Sequence, residues 1–327
     1  MKVIVSFIIA TFLMYGIIGN SNAQDIRVHD PVMIKQGDTY YLFCTGMGIS
    51  VYSSTDMKNW NKESSVFESG PQWAIDAIPG FKGHIWAPDI SFHDGTYYLY
   101  YSVSAFGKNT SCIGLATNKT LNKNDPNYKW ADQGKVIQSV PGRDLWNAID
   151  PNLAYDDNGQ PWLVFGSFWS GMKLVKMNPN LKEVAEPEEW YTVSKRPRDF
   201  KTEDYKAGEG AVEAPFIFKK NGYYYLFVSF DACCKGINST YKIMVGRSDK
   251  IQGPYVDKDN VRLDEGGGSI VLKGNESWPG VGHNAAYTFD GKDYLITHAY
   301  DASDEGKPKL IIKEISWDKS GWPGVSW

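Results

Sequence analysis

One pattern of sixteen to eighteen residues recurs five times along the chain, and no other feature restricts the fold as tightly. The copies open at Asp30, Ala87, Asp150, Glu213 and His283, at intervals of 57, 63, 63 and 70 residues. Each begins with a polar or Pro-bearing element, runs through alternating apolar residues and turns at Gly beside Asp or Asn. It returns through aromatic residues, as in DPVMIKQGDTYYLFCT and APDISFHDGTYYLYYS. Such turn chemistry between β-branched and aromatic strands is the pattern of a β-hairpin. Further short strands are expected at 112–117, 174–177 and 242–247, and no long helical periodicity intervenes. Five all-β units of this length predict a five-bladed β-propeller with four-stranded antiparallel blades, because radial repetition leaves few open sheet edges.

The ends and the cysteines bound the domain. Lys2 precedes an apolar run over 3–18, and Ser21, Asn22 and Ala23 supply small residues for cleavage before Gln24. Residues 1–23 therefore read as a signal peptide and 24–327 as a single catalytic propeller, secreted or periplasmic. A membrane anchor is the competing reading, but the run is short for a bilayer span. Cys44, Cys112, Cys233 and Cys234 contain no C-x-x-C pair, which speaks against a zinc site. The adjacent Cys233 and Cys234 leave two readings open: buried thiols, or a small disulfide ring that shapes a loop. N-x-S/T sequons at Asn109, Asn118, Asn238 and Asn275 matter only in a glycosylating host.

In a propeller the innermost strand of each blade runs along the central channel. The residues opening the repeats should therefore meet at one end of it: Asp30, the 86–89 stretch, Asp150, Glu213 and His283. Three carboxylates and a histidine in one cleft are costly for structure alone, since crowded like charges repel. Net charge −4 gives no footprint for nucleic acid, whereas 12 Trp, 20 Tyr and 15 Phe suit a ring-shaped ligand such as sugar. Facing carboxyl groups are the equipment for glycosidic cleavage: one protonated to assist the leaving oxygen, one ionised to activate water or attack. A third nearby raises the acid's pKa and orients it. Spacing alone does not distribute these roles.

The motifs do more. H-D-P at 29–31, W-A-P-D at 86–89, N-A-I-D-P-N at 147–152, G-S-F-W at 166–169, E-A-P-F at 213–216, S-T-Y-K-I at 239–243 and G-H-N at 282–284 follow one family's pattern in order. Across essentially the whole mature chain the sequence resembles the glycoside hydrolase family 43 arabinanases, endo-1,5-α-L-arabinanases above all. The resemblance implies hydrolysis of arabinan and arabino-oligosaccharides of plant cell walls with inversion. It makes Asp30 the general base, Glu213 the general acid, and Asp150 the residue that raises the acid's pKa and positions it. Inversion in turn implies carboxyl groups roughly 6.5–9.5 Å apart. His283 matches the family's axial histidine, which holds a calcium ion directly or through water. A core histidine bonded to the acids is the alternative, because calcium prefers oxygen ligands. The Cys233–Cys234 loop also matches and is expected to form a cleft wall.

Sugar contacts are expected from Trp86, Phe106 and Trp169 as stacking platforms and from Asn147 and Ser167 as hydrogen-bonding groups. Ala148, Ile149 and Phe168 complete the stretches lining the central subsites by resemblance, although period-two alternation would turn Phe168 to the opposite side. Rival readings are an exo-acting arabinanase, arabinofuranosidase or β-xylosidase on the same scaffold, and a non-catalytic glycan-binding propeller. The last has no need of three inward carboxylates. A monomer without nucleic-acid or membrane partners is expected.

Overall fold

The computed structural model describes residues 23–327, so the signal-peptide reading of residues 1–23 falls, Ala23 apart, outside the described residues. The five repeats build five four-stranded antiparallel blades. Blade I comprises Val32–Gln36, Thr39–Cys44, Ser50–Ser54 and Asn61–Lys62. Blade II comprises His84–His93, Thr96–Val103, Ser111–Asn118 and Ala131–Ser139, with Gly46–Met47 added beside its first strand. Blade III comprises Asn152–Tyr155, Pro161–Phe165, Met172–Lys176 and Trp190–Ser194. Blade IV comprises Val212–Lys220, Tyr223–Phe230, Lys242–Ser248 and Ser269–Lys273.

Blade V has only three strands from its own stretch of chain: Val281–Phe289, Lys292–Asp301 and Lys307–Glu314. Its fourth is Ala23–Arg27, which pairs antiparallel with Lys307–Glu314. The repeat count therefore hides a closure in which the beginning of the domain completes its last blade. The first strands of neighbouring blades touch in a closed ring, placing them around the axis.

Burial explains why the repeats stack. Apolar side chains of adjacent blades interdigitate, as where Trp162, Val164 and Leu174 of blade III meet Ile217, Leu226 and Val228 of blade IV. Tyr100, Ile113 and Leu115 of blade II likewise meet Leu153, Leu163 and Phe165 of blade III. Each fully buried side chain of this size contributes roughly 1.5–3 kcal/mol, so the inter-blade faces hold the ring together. Among the described residues no helix is long and apolar enough to cross a membrane. Cys233 and Cys234 are disulfide-bonded to each other, while Cys44 and Cys112 are free and buried. Asn109 and Asn118 are buried, so two of the four sequons cannot present a side chain for glycosylation.

Candidate active site

A left-handed backbone position marks the same place in every repeat. Asp30, Ala87, Asp150, Ala214 and His283 have φ of 53°, 41°, 58°, 54° and 51°. Non-glycine residues hold such angles at roughly 1–3 kcal/mol each, so the surroundings must impose them. Asp30, Asp150 and His283 thus share one register, whereas Glu213 stands one residue ahead of its blade's equivalent, Ala214. The same ladder irregularity surrounds the left-handed residue between Trp86 and Asp89, Glu213 and Phe216, and Gly282 and Ala285, so Glu213 is in register with Trp86 and Gly282. The sequence alignment that opened all five copies alike is corrected by one residue in blade IV.

The backbone N–H groups at these positions show what imposes the bend. Ala87 donates to Thr45 Oγ1 at 2.8 Å, Asp150 to Ser102 Oγ at 2.9 Å and His283 to Ser229 Oγ at 2.8 Å. Asp30 donates to His298 Nδ1 at 3.2 Å. Each acceptor belongs to the preceding blade around the ring, at the matching point of its second strand. In blade III that point is Gly166, which has no side chain to accept the bond, and the next residue, Ser167, donates its hydroxyl to Glu213 Oε2 at 2.9 Å. The Ala214 N–H is taken instead by Asp150 Oδ2 at 3.1 Å. Ring closure and site assembly are therefore one set of hydrogen bonds.

Asp30, Asp150, Glu213 and His283 line one cavity of about 960 Å³, large enough for several sugar units. Asp30 Oδ1 lies 2.7 Å from His29 Nδ1, 3.0 Å from His283 Nδ1 and 3.9 Å from His298 Nδ1. Thr45 donates to its Oδ2 at 2.5 Å. Burial alone would raise the Asp30 pKa, but His283 and His29 outweigh it and hold the carboxyl well below the usual range. Asp150 goes the other way. Burial first, then crowding by Glu213 and Asp30, push it up to about 8 against the pull of His283, so Asp150 retains a proton at neutral pH. Burial opposes charge on His283, yet Asp30 and Asp150 carry its pKa up to about 9.

Glu213 receives a second hydrogen bond, from Tyr241 Oη at 2.8 Å. Burial and the neighbouring carboxylates keep that phenol protonated by raising its pKa well above the ordinary value. Gly282 makes room for it: a Cβ there would stand 2.1 Å from the Tyr241 ring.

Trp86, Phe106, Asn147, Ile149, Ser167, Phe168 and Trp169 all line the cavity. Ala148 does not; it is fully buried, donates its N–H to Ser139 Oγ and packs with Leu153 and Phe165. Alternation along 147–149 turns its methyl into the inter-blade core. Phe168, by contrast, does not follow alternation away from the cavity. Phe168 and Trp169 have φ of 53° and 43°, so the chain is not extended there. Trp169 is only 3% exposed and donates from Nε1 to the Asp204 carbonyl, while Phe106 is 82% exposed at the rim. Phe106 is thus the more open of the two surfaces. Thr45, Ser102, Tyr241, His29, His298 and Tyr300 escaped the sequence reading. Five of the six could have been found: Thr45, Ser102 and His298 share one column with Ser229 when the second strands are aligned, and His29 and Tyr241 lie inside quoted motifs.

For a cation, His29, Asp30 and His298 form the one cluster among the described residues whose ligand atoms all lie within 4.8 Å of one another. These atoms already satisfy each other. Asn284 is a better oxygen donor. It stands where the other repeats have Pro31, Pro88, Pro151 and Pro215, is 3% exposed, and neither of its amide atoms has a partner. With His283 beside it in the chain, it fits a group held partly through water.

A five-bladed propeller whose axial cavity gathers Asp30, Asp150 and Glu213, the first with a lowered and the second with a raised pKa, defines a glycoside hydrolase. The sequence profile of glycosyl hydrolases family 43 matches residues 24–323, and the chain belongs to that family. It is 54% identical over 303 residues to the extracellular exo-α-(1→5)-L-arabinofuranosidase of Cellvibrio japonicus, covering 93% of this chain and 87% of the relative. It is 45% identical to the extracellular endo-α-(1→5)-L-arabinanase 1 of Bacillus subtilis, covering 92% and 88%. The solved α-L-arabinanase of Cellvibrio cellulosa complexed with arabinohexaose superposes with a TM-score of 0.91 at 54% identity, covering 92% and 96%.

Proposed function

We propose that this chain hydrolyses α-1,5-linked arabinofuranosyl bonds of arabinan with inversion, outside the cell or in the periplasm. Glu213 protonates the leaving oxygen and Asp30 activates water on the opposite face. The opposed pKa shifts carry this reading. Asp30, beside His29, His283 and His298, stays ionised and is fit to accept a proton. Asp150, with its pKa pushed up to about 8, keeps a proton at neutral pH close to Glu213. Asp150 positions the acid through the Ala214 N–H, the residue next to it. Trp86 and Phe106 offer ring faces for furanose units, and Asn147 and Ser167 offer polar groups.

Calcium, when bound, would be held by His283 and Asn284 with waters, and it supplies fixed positive charge near the axis. His283 would then carry the ion on Nε2 in place of its proton, since Nδ1 faces Asp30.

Replacing Asp30 or Glu213 by Ala should lower turnover on linear arabinan by at least ~10²–10⁴. Near-normal hydrolysis by both variants would refute the assignment. Inversion is checked by following the anomer first released, using nuclear magnetic resonance. For mode of attack, the motifs suggest endo cleavage, while the 54% identity to an exo-acting relative against 45% to an endo-acting one supports release from chain ends. Product analysis on debranched arabinan separates them: a ladder means endo, a single small product means exo.

A further inference from the structure

The proton positions around Asp30 can be followed outward, and they lead to a residue far from the cavity chemistry. The Asp30 N–H donates to His298 Nδ1 at 3.2 Å, so Nδ1 is an acceptor and the His298 proton sits on Nε2. His298 is fully buried, where a neutral ring is favoured. Its Nε2 lies 3.3 Å from Tyr300 Oη. The same phenol oxygen receives the backbone N–H of Cys234, from the disulfide loop, at 2.7 Å. With both incoming bonds occupying its lone pairs, the Tyr300 hydroxyl has its own proton to give. Its neighbours on the other side are the Ser239 hydroxyl and His29 Nε2, the latter at 3.1 Å and itself 3.8 Å from Cys234 Sγ. An accepting Nε2 requires the His29 proton on Nδ1, and Nδ1 lies 2.7 Å from Asp30 Oδ1. With the Tyr300 proton given to His29 rather than to Ser239, this assignment satisfies every link of the loop from Asp30 back to Asp30.

We propose that Tyr300, fixed by the Cys234 N–H and by His298, locks His29 as the Nδ1–H tautomer and so sets the orientation of the Asp30 carboxylate. Tyr300 and His29 are positioning residues for the base; neither needs to touch substrate. A wrong imidazole tautomer at a catalytic group can cost orders of magnitude in rate with geometry otherwise intact. The Cys233–Cys234 loop thereby gains a task beyond walling the cavity: its backbone anchors the far end of the relay. The proposal rests on Asp30 acting as the base, and the test separates the two ideas.

Imidazole ¹⁵N spectra of the intact enzyme should show His29 protonated on Nδ1 and His298 on Nε2; His29 protonated on Nε2 would overturn the relay without any variant. Tyr300→Phe should lose the His29 signature and lower kcat on arabino-oligosaccharide about 10-fold, with KM within about 2-fold. His29→Asn keeps an N–H in reach of Asp30 but has nothing at the Nε2 position. In that background Tyr300→Phe should cost less than about 2-fold, because the link it breaks is already gone. Additive losses in the double variant would mean Tyr300 acts through general packing and would sink the proposal. A tautomer change in Tyr300→Phe with kcat unmoved would leave the relay standing and remove Asp30 from the role of base.

Discussion

Ser167 Oγ donates to Glu213 Oε2 at 2.9 Å from one residue beyond Gly166, whose four counterparts around the ring serve as acceptors for backbone N–H groups of the next blade. Gly166 has no side chain with which to close the propeller at this point. Asp150 has taken over its structural bond, through Oδ2 to the Ala214 N–H. Asp150 is therefore part of the ring closure as well as of the site.

This division of labour predicts opposite phenotypes for two Ser→Ala changes. Ser229→Ala strands the buried His283 N–H and should destabilise the fold by about 1–3 kcal/mol in urea unfolding. Ser167→Ala removes one hydrogen bond from Glu213 and leaves no backbone N–H unpaired. It should lower kcat roughly 10-fold, with an unfolding midpoint close to the parent. A stability loss in Ser167→Ala as large as in Ser229→Ala would contradict the distinction.

The pH dependence of stability follows from the same groups. The folded pKa of Asp150 is raised to about 8, so between roughly pH 4 and 8 the native state binds the proton that the unfolded chain has lost. His283, raised to about 9, does the same between roughly pH 6.5 and 9. Both make stability fall as pH rises through those windows. Asp30 has the opposite sign: its depressed pKa favours the native state above the ordinary carboxylate range, and that contribution is lost in stronger acid. These groups therefore place the maximum of unfolding free energy near pH 4, with a decline toward pH 9. Asp150→Asn should flatten the decline while lowering turnover. An unchanged slope in that variant would show that Asp150 is ionised at neutral pH.

The architecture was legible because repetition constrains the whole chain at once: five hairpins leave one way to bury their faces. Strand closure by Ala23–Arg27 was not, since that segment carries no repeat signature of its own. Site residues at the repeat openings were legible as residue types in register. The offset of Glu213 from Ala214 was legible too, since Pro31, Pro88, Pro151 and Pro215 form one column that places Ala214, not Glu213, beside Asp30 and Asp150. Ala148 was misplaced because a motif reports a stretch of chain, while the pleat decides which of its side chains face the cavity. Tyr241, inside a quoted motif just before a third strand, and Tyr300, near the end of a second strand, were in view as residues, but only folding shows that they meet Glu213 and His29.

Calcium at the axis is testable apart from activity. His283 and the unpartnered Asn284 should retain about one ion per chain after gel filtration, measured by elemental analysis. His283→Ala should abolish retention, and chelator treatment of the parent should lower its melting temperature. Absence of ion with unchanged melting and activity would remove calcium from the account and leave His283 as the partner of Asp30.

Phe106 offers the cleanest separation of binding from chemistry. It lies at the cavity rim, 82% exposed, so it contributes little to the core and its truncation leaves no buried void. If its ring carries a furanose face, Phe106→Ala removes binding shared by ground and transition states. KM should then rise roughly 5- to 30-fold, equivalent to about 1–2 kcal/mol, with kcat nearly retained. Phe106→Tyr or Phe106→Trp should restore KM, because a flat face is what the sugar meets. The melting temperature should stay within about 2 °C of the parent. Unchanged KM on long arabino-oligosaccharides would mean that the substrate passes Phe106 without touching it, and would shift the outer subsite toward Trp86.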